Sequence, residues 1–379
     1  MSFSRIVYAV NWYNVAAVFT FIAYDFKLDV SGLAMATASF YIGVGLFQVP
    51  GGIIAAKWGA RRTAIIGILE SSIATILTAF TTQFLQFVLL RFFVGLGMAL
   101  FLGPGVTLAA RTFHQDSQGL GVGAFQSAFY VGGGLGLFAW SVLAESYGWR
   151  SSLIVAGVLG ILGSFLLFSY VPKDDLREEF AIKMKELWEV LADRWLLLLS
   201  IELFGFGSGT ILVSTFIVYY LEQSLSLSPV AAGVIGSLGP LTAILMCPLV
   251  GILYSRTKKA RLLLFTLGIT LTAAISIIAI GTASSAIVAV IVAGLCNGSI
   301  TIGYLAARDD FAASPEYESL AVSWVNTIQM LAGFSSPVLF STVVLSYGYT
   351  TAWLVGALCI FPLISIILLA SGKRRTTMQ

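Results

Sequence analysis

Residues 31–62 read SGLAMATASFYIGVGLFQVPGGIIAAKWGARR. The first 26 of these, 31–56, carry no charged side chain. At about 1.5 Å per residue, a helix of that length exceeds the roughly 30 Å hydrocarbon core of a bilayer. The six residues that follow hold three cations, Lys57, Arg61 and Arg62. An apolar run ending in a short basic turn is the mark of a membrane span whose end is held in the cytoplasm.

The same pattern fills the rest of the 379 residues. Apolar runs fall at 6–24, 31–56, 63–82, 85–110, 119–144 and 151–171, then at 195–221, 229–254, 262–282, 286–307, 318–344 and 350–371. Backbone in lipid must satisfy its own hydrogen bonds, which leaves helices or closed barrels, and these runs are too long for barrel strands. The expected fold class is all-α, a polytopic membrane protein with twelve transmembrane helices. Of 21 Lys and Arg residues, only Lys27, Arg91 and Arg150 trace to the far side. The other eighteen, Arg5 among them, trace to the cytoplasmic side. An even number of spans then puts both termini in the cytoplasm, in keeping with the basic tail Lys373, Arg374 and Arg375.

Composition excludes several classes. The chain is 58% hydrophobic and 10% charged, with a mean hydropathy of +0.94, more apolar sequence than a soluble interior can bury. The net charge of +3 matters as an asymmetry between faces, so no nucleic-acid partner is read from it. Cys247, Cys296 and Cys359 lie inside apolar runs and read as small hydrophobes. His114 reads as a solvated loop residue. No metal-ligand spacing and no nucleotide-binding loop is present, so no cofactor and no enzymatic activity are expected, and transport would draw on gradients.

The chain divides near its middle. Residues 173–194, KDDLREEFAIKMKELWEVLADR, are densely charged. Asp175 and Glu178 form a capping-box pattern, and Phe180, Met184, Leu187, Trp188 and Leu191 share a helical face. This reads as a cytoplasmic amphipathic linker helix between an N-terminal bundle, 1–172, and a C-terminal bundle, 195–379. The halves repeat each other at an offset of roughly 200 residues: Pro50 and Gly52 with Pro248 and Gly251, Gly95-Leu96 with Gly294-Leu295, Phe125-Gln126 with Val325-Asn326, and Tyr147-Gly148 with Tyr347-Gly348. A parallel repeat of six spans is a transporter architecture.

The turn from Gly51 to Arg62, GGIIAAKWGARR, resembles the signature loop of the major facilitator superfamily, G-x-L-A-D-R-x-G-R-R. Gly52, Lys57, Gly59 and Arg61 match it by type. Ala56 stands where the family has an acid, and Ser255 does so in the second-half copy, which runs from Gly251 to Arg261. Arg91-Phe92-Phe93-Val94-Gly95 is similar to the family's R-x-x-x-G element in span four. The resemblance implies two pseudo-symmetric six-helix bundles that rock about a midplane site lined by spans one, four, seven and ten. It also implies a gating role for Gly52, Lys57, Gly59, Arg61, Arg62 and Arg256.

Polar groups within spans mark the candidate site, since they must face a partner or a wet cavity. Arg91 is a cation about two turns inside the far boundary and a candidate anion attractor, or else a structural arginine. Glu202 is a carboxyl inside span seven, a candidate proton or substrate contact, or else a fixed structural group. Glu70, on span three, reads as structural. Asn11, Gln126, Tyr130, Asn297, Tyr304 and Asn326 are candidates for contacting a small polar solute. The expectation is a monomeric secondary transporter for a small organic solute, leaning to an anion, with protons as a candidate coupling ion and lipids as its surroundings. Two alternatives stand beside it: efflux of apolar or cationic compounds, and a non-transporting sensor or scaffold with a transporter fold.

Overall fold

The computed structural model describes residues 2–111, 118–171, 191–310 and 315–369. Among these, every regular element is a helix. Eleven segments are long and apolar enough to cross a membrane. The last, Trp324–Ser365, has 42 residues, about twice what one crossing needs. It breaks at Gly348 (φ 79°, ψ 171°) and so supplies two spans, making twelve.

Span one comprises two helices, Ser2–Trp12 and Asn14–Phe26, interrupted at Tyr13. Spans two to six are Val30–Trp58, Ala60–Ala79, Phe84–Arg111, Gln118–Tyr147 and Trp149–Tyr170. Spans seven to nine are Arg194–Leu225, Pro229–Thr257 and Ala260–Ile278. Span ten is interrupted at Asn297, between Ala283–Cys296 and Gly298–Asp310. Spans eleven and twelve share Pro315–Ser365. The linker at 173–194 falls almost wholly outside the described residues, as do His114 and the basic tail. From that linker, Asp193 caps span seven by accepting from the Leu196 amide at 3.0 Å.

The two halves turn alike. Gly148 (φ 80°, ψ 157°) and Gly348 take the same positive-φ conformation at equivalent places, one before span six and one before span twelve. A side chain would be strained at either position. The preceding Tyr147 and Tyr347 are exposed there, as expected of rings at a membrane–water boundary.

Lipid gives helices no hydrophobic drive to associate, so small residues do the close packing. Spans two and four meet at Gly43 and Gly95. A Cβ on Gly43 would collide with the Phe92 carbonyl, and one on Gly95 with the Phe40 carbonyl. On the opposite surfaces Leu46, Phe165, Leu245 and Leu358 are exposed, where lipid would cover them.

One end of the bundles carries the turns at Arg61 and Lys258 and is called the basic end here; the other is the far end. At the far end, Trp149 Nε1 and Arg150 Nη1 both donate to Asp25 Oδ2, at 2.9 and 2.5 Å, tying span six to span one. The halves also join there. Phe19 of span one packs against Tyr219 of span seven with ring centroids 5.3 Å apart. Gly233 of span eight fits against Leu137 and Ser141 of span five. Both halves contribute to one buried apolar core.

Candidate substrate cavity

Between the halves, on the basic side of this joint, lies a cavity of about 100 Å³. The N-terminal half contributes Trp12, Tyr13, Tyr41, Phe129 and Tyr130 to its wall. The C-terminal half contributes apolar Ile211, Val213, Ile217, Val290 and Met330, with Thr210, Ser214, Asn297 and Gln329 as its polar groups. Among the described residues, none that lines it is charged.

A charge lies directly behind the wall. Arg5, in the first helix of span one, is only 4% exposed. Its guanidinium carbon sits over three rings, Tyr8 at 4.5 Å, Phe129 at 4.6 Å and Phe125 at 4.8 Å, and Phe129 is itself a wall residue. Arg5 Nη2 donates to Gln126 Oε1 at 2.9 Å. Nε and Nη1 are buried without a hydrogen-bond partner. Among the described residues no carboxylate pairs with it. The three rings offset part of the desolvation cost, at about 0.5–2 kcal/mol each. An uncompensated buried charge costs several kcal/mol, so Arg5 is held short of a counter-charge.

The C-terminal half faces Arg5 with neutral polar groups. Tyr304 OH donates to Asn326 Oδ1 at 2.5 Å and lies 3.3 Å from Gln329 Oε1. Asn326 and Gln329 are 6% and 3% exposed, and Gln329 reaches the cavity. Tyr130 and Tyr304 both lie within electrostatic reach of Arg5.

The sequence candidates fall into two groups. Gln126, Tyr130, Asn297, Tyr304 and Asn326 gather at or just behind the cavity. Asn297 lines it while its amide turns back to the Ala293 and Gly294 carbonyls at 3.4 and 3.3 Å. Asn11, Arg91 and Glu202 do not line the cavity. Asn11 Nδ2 bridges the Val7 and Ala156 carbonyls, both at 3.0 Å, and so ties span one to span six. Arg91 is 3% exposed inside the N-terminal half, donating to Asn14 Oδ1 at 3.3 Å and stacked over Phe40 at 4.6 Å. Glu202 is fully buried inside the C-terminal half, and neither carboxyl oxygen has a hydrogen-bond partner. One turn further on, Gly205 packs against Leu363 and Ile364 of span twelve, so this part of span seven is apolar.

The gating-loop candidates lie at the basic end. Gly59 ends span two at φ 91° and ψ 145°. Arg61 donates to the Phe168 carbonyl of span six and lies over its ring. Gly52, Arg62 and Arg256 are exposed. The side chain of Lys57 lies outside the described residues. In the second half, Lys258 Nζ and Tyr254 OH both donate to Asp309 Oδ2 of span ten, at 2.6 and 2.9 Å. An acid from span ten thus meets the loop whose own acid is replaced by Ser255.

The residue that sequence reading missed is Arg5, counted there among cytoplasmic anchors. A signal was present: Arg5, Tyr8 and Trp12 follow at i, i+3 and i+7, which places them on one helical face. Among the described residues no group of three or more His, Cys, Asp or Glu is positioned to hold a metal.

This arrangement can bind and release a solute between two halves. Comparison with known proteins agrees. The chain is 23% identical over 353 residues to the Arabidopsis thaliana protein named "Probable anion transporter 6, chloroplastic", covering 84% of this chain and 67% of that one. It is 28% identical over 181 residues to the Cupriavidus necator protein named "Probable sulfoacetate transporter SauU", covering 47% of this chain and 41% of that one, so it spans well under two thirds of that relative. Its fold matches a crystal structure of a mutant of the nucleoside transporter NupG, with a TM-score of 0.81 at 12% identity and 98% coverage of both chains. The profile of the Major Facilitator Superfamily matches residues 1–337. With its helices, its repeat and its central cavity, the chain belongs to the Major Facilitator Superfamily and is an integral membrane transporter of a small solute.

Proposed function

We propose that the solute is a small organic anion, carried by alternating access, and that Arg5 is its anchor. The observation that carries this reading is a buried guanidinium, beside the cavity, with unpaired N–H groups and no carboxylate facing it. An incoming carboxylate would supply the missing charge through charge-assisted hydrogen bonds, which are roughly twice as strong as neutral ones. Asn326, Gln329 and Tyr304 would meet it from the other half, so that one ligand draws both bundles together. This role moves from Arg91, which Asn14 and Phe40 hold away from the cavity, to Arg5, which sits behind the wall residue Phe129. An aromatic cavity without an acid and with a cation behind its wall disfavours cationic cargo. The anion-transporter names of two relatives point the same way.

Glu202 is the proposed proton-carrying group. A carboxylate there would have no counter-charge. The distribution of Lys and Arg supports a cytoplasmic position for the basic end.

The test is uptake and counterflow in proteoliposomes, with labelled acetate, succinate and benzoate as probes. Saturable counterflow of at least one probe, lost in Arg5→Gln, supports the reading. Binding without counterflow would make the protein a sensor, and counterflow unchanged in Arg5→Gln would remove Arg5 from the site.

A further inference from the structure

We infer that the anion carries an aromatic ring, seated in the cavity while its carboxylate engages Arg5. This rests on the anion reading above and narrows it to a substrate class.

The cavity lining is of two kinds. One part is aromatic, its rings packed on one another. Trp12 stands nearly perpendicular to Phe40, Tyr41 and Phe129, at 89°, 84° and 82°, with ring centroids 4.7, 5.5 and 5.8 Å away. Phe129 continues the wall to Tyr130 at 5.4 Å. The aliphatic part of the lining includes Ile211, Ile217 and Met330. A flat ring against these surfaces gains both ring–ring contact and apolar burial.

Three polar groups of the lining turn back on their own helices. Thr210 Oγ1 donates to the Phe206 carbonyl at 3.0 Å, Ser214 Oγ to the Ile211 carbonyl at 3.3 Å, and the Asn297 amide to its own helix. Behind the wall, Arg5 carries buried N–H groups without a hydrogen-bond partner. Its faces are stacked on rings, so a carboxylate must approach the edge of the guanidinium in its plane. One cation behind an otherwise uncharged cavity suits one negative group on an apolar body.

The experiment is a thermal-shift titration of the purified full chain with four probes: benzoate, cyclohexanecarboxylate, hexanoate and benzamide. Ring–ring contact adds about 0.5–1.5 kcal/mol beyond area burial. Benzoate is therefore expected to bind roughly three- to tenfold tighter than cyclohexanecarboxylate, which has similar size but no π face. Trp12→Leu is expected to bring that ratio close to one. Trp12→Phe keeps a ring and is expected to keep most of the preference, which separates loss of the ring from loss of folding. Equal binding of benzoate, cyclohexanecarboxylate and hexanoate, or binding of none of them, overturns the aromatic assignment. Benzamide binding as tightly as benzoate overturns the anion reading instead and leaves the ring preference standing.

Discussion

Arg5 Nη2 and Gln126 Oε1 are joined at 2.9 Å across 121 residues of chain, while Nε and Nη1 of the same guanidinium hydrogen-bond to nothing. A cation so placed costs folding energy, and the proposed anion would supply its missing partner. Its substitution should therefore separate stability from function. Arg5→Met retains most of the apolar stem and removes the unpaired charge. It is expected to unfold at a temperature no lower than the parent while losing anion uptake. Differential scanning fluorimetry beside proteoliposome uptake checks both halves of this statement.

Charge alone should not suffice at this position. Arg5→Lys keeps the charge but loses the planar fork that meets a carboxylate with two parallel bonds. At least a tenfold loss of apparent affinity for benzoate is expected, read from the concentration dependence of uptake. Affinity within twofold of the parent would mean that position 5 contributes only a point charge.

Glu202 bears on energy coupling. If it carries the proton, Glu202→Gln retains counterflow of labelled benzoate, which needs no gradient, but no longer accumulates benzoate when a pH gradient is imposed. Full accumulation in Glu202→Gln would remove it from that role and leave it as an apolar-surrounded structural carboxyl.

Much of the fold was legible in the sequence because lipid leaves the backbone so few solutions. Charge-free runs, basic turns and the paired Tyr147-Gly148 and Tyr347-Gly348 located the spans and the repeat. The site was less legible, for a physical reason. Hydropathy reports how far a residue lies from the lipid boundary, whereas function depends on which neighbour a side chain meets. Arg5 lies at the boundary by position and reads as an anchor, yet its side chain turns inward onto Tyr8, Phe125 and Phe129. Arg91 lies deep by position and reads as functional, yet Asn14 and Phe40 enclose it. The aromatic wall was hidden by its abundance, since 27 Phe, 14 Tyr and 8 Trp residues give no single ring prominence.

Packing at the crossing of spans two and four allows no side chain on Gly95, where a Cβ would meet the Phe40 carbonyl. Gly95→Val is expected to destabilise the N-terminal half by about 1–3 kcal/mol or more, the usual cost of overpacking. Reduced yield of folded protein in detergent and a lowered unfolding temperature are the readouts.

Span two begins with a cap that should show in its pH response. Asp29 Oδ1 accepts from the Ser31 hydroxyl at 2.5 Å and the Ser31 amide at 2.8 Å. The Ser31 hydroxyl, with the backbone amides, holds the Asp29 carboxyl below the usual carboxylate range. A depressed folded-state pKa gives stability that is fully present above the unfolded value, near 3.9, and is lost as pH falls through the folded one. Asp29→Ala is expected to cost about 1 kcal/mol at neutral pH. That difference should narrow only in acid, below the ordinary carboxylate range, as followed by denaturant unfolding of both proteins at a series of pH values.

The central claim is that a ligand's negative charge completes Arg5. The most direct test compares a carboxylate with its uncharged isostere on two proteins, by titrating benzoate and benzamide into the parent and Arg5→Gln and following unfolding temperature. The account predicts that benzoate raises the unfolding temperature of the parent alone and that benzamide raises neither. An equal rise with benzoate in the parent and in Arg5→Gln would contradict it.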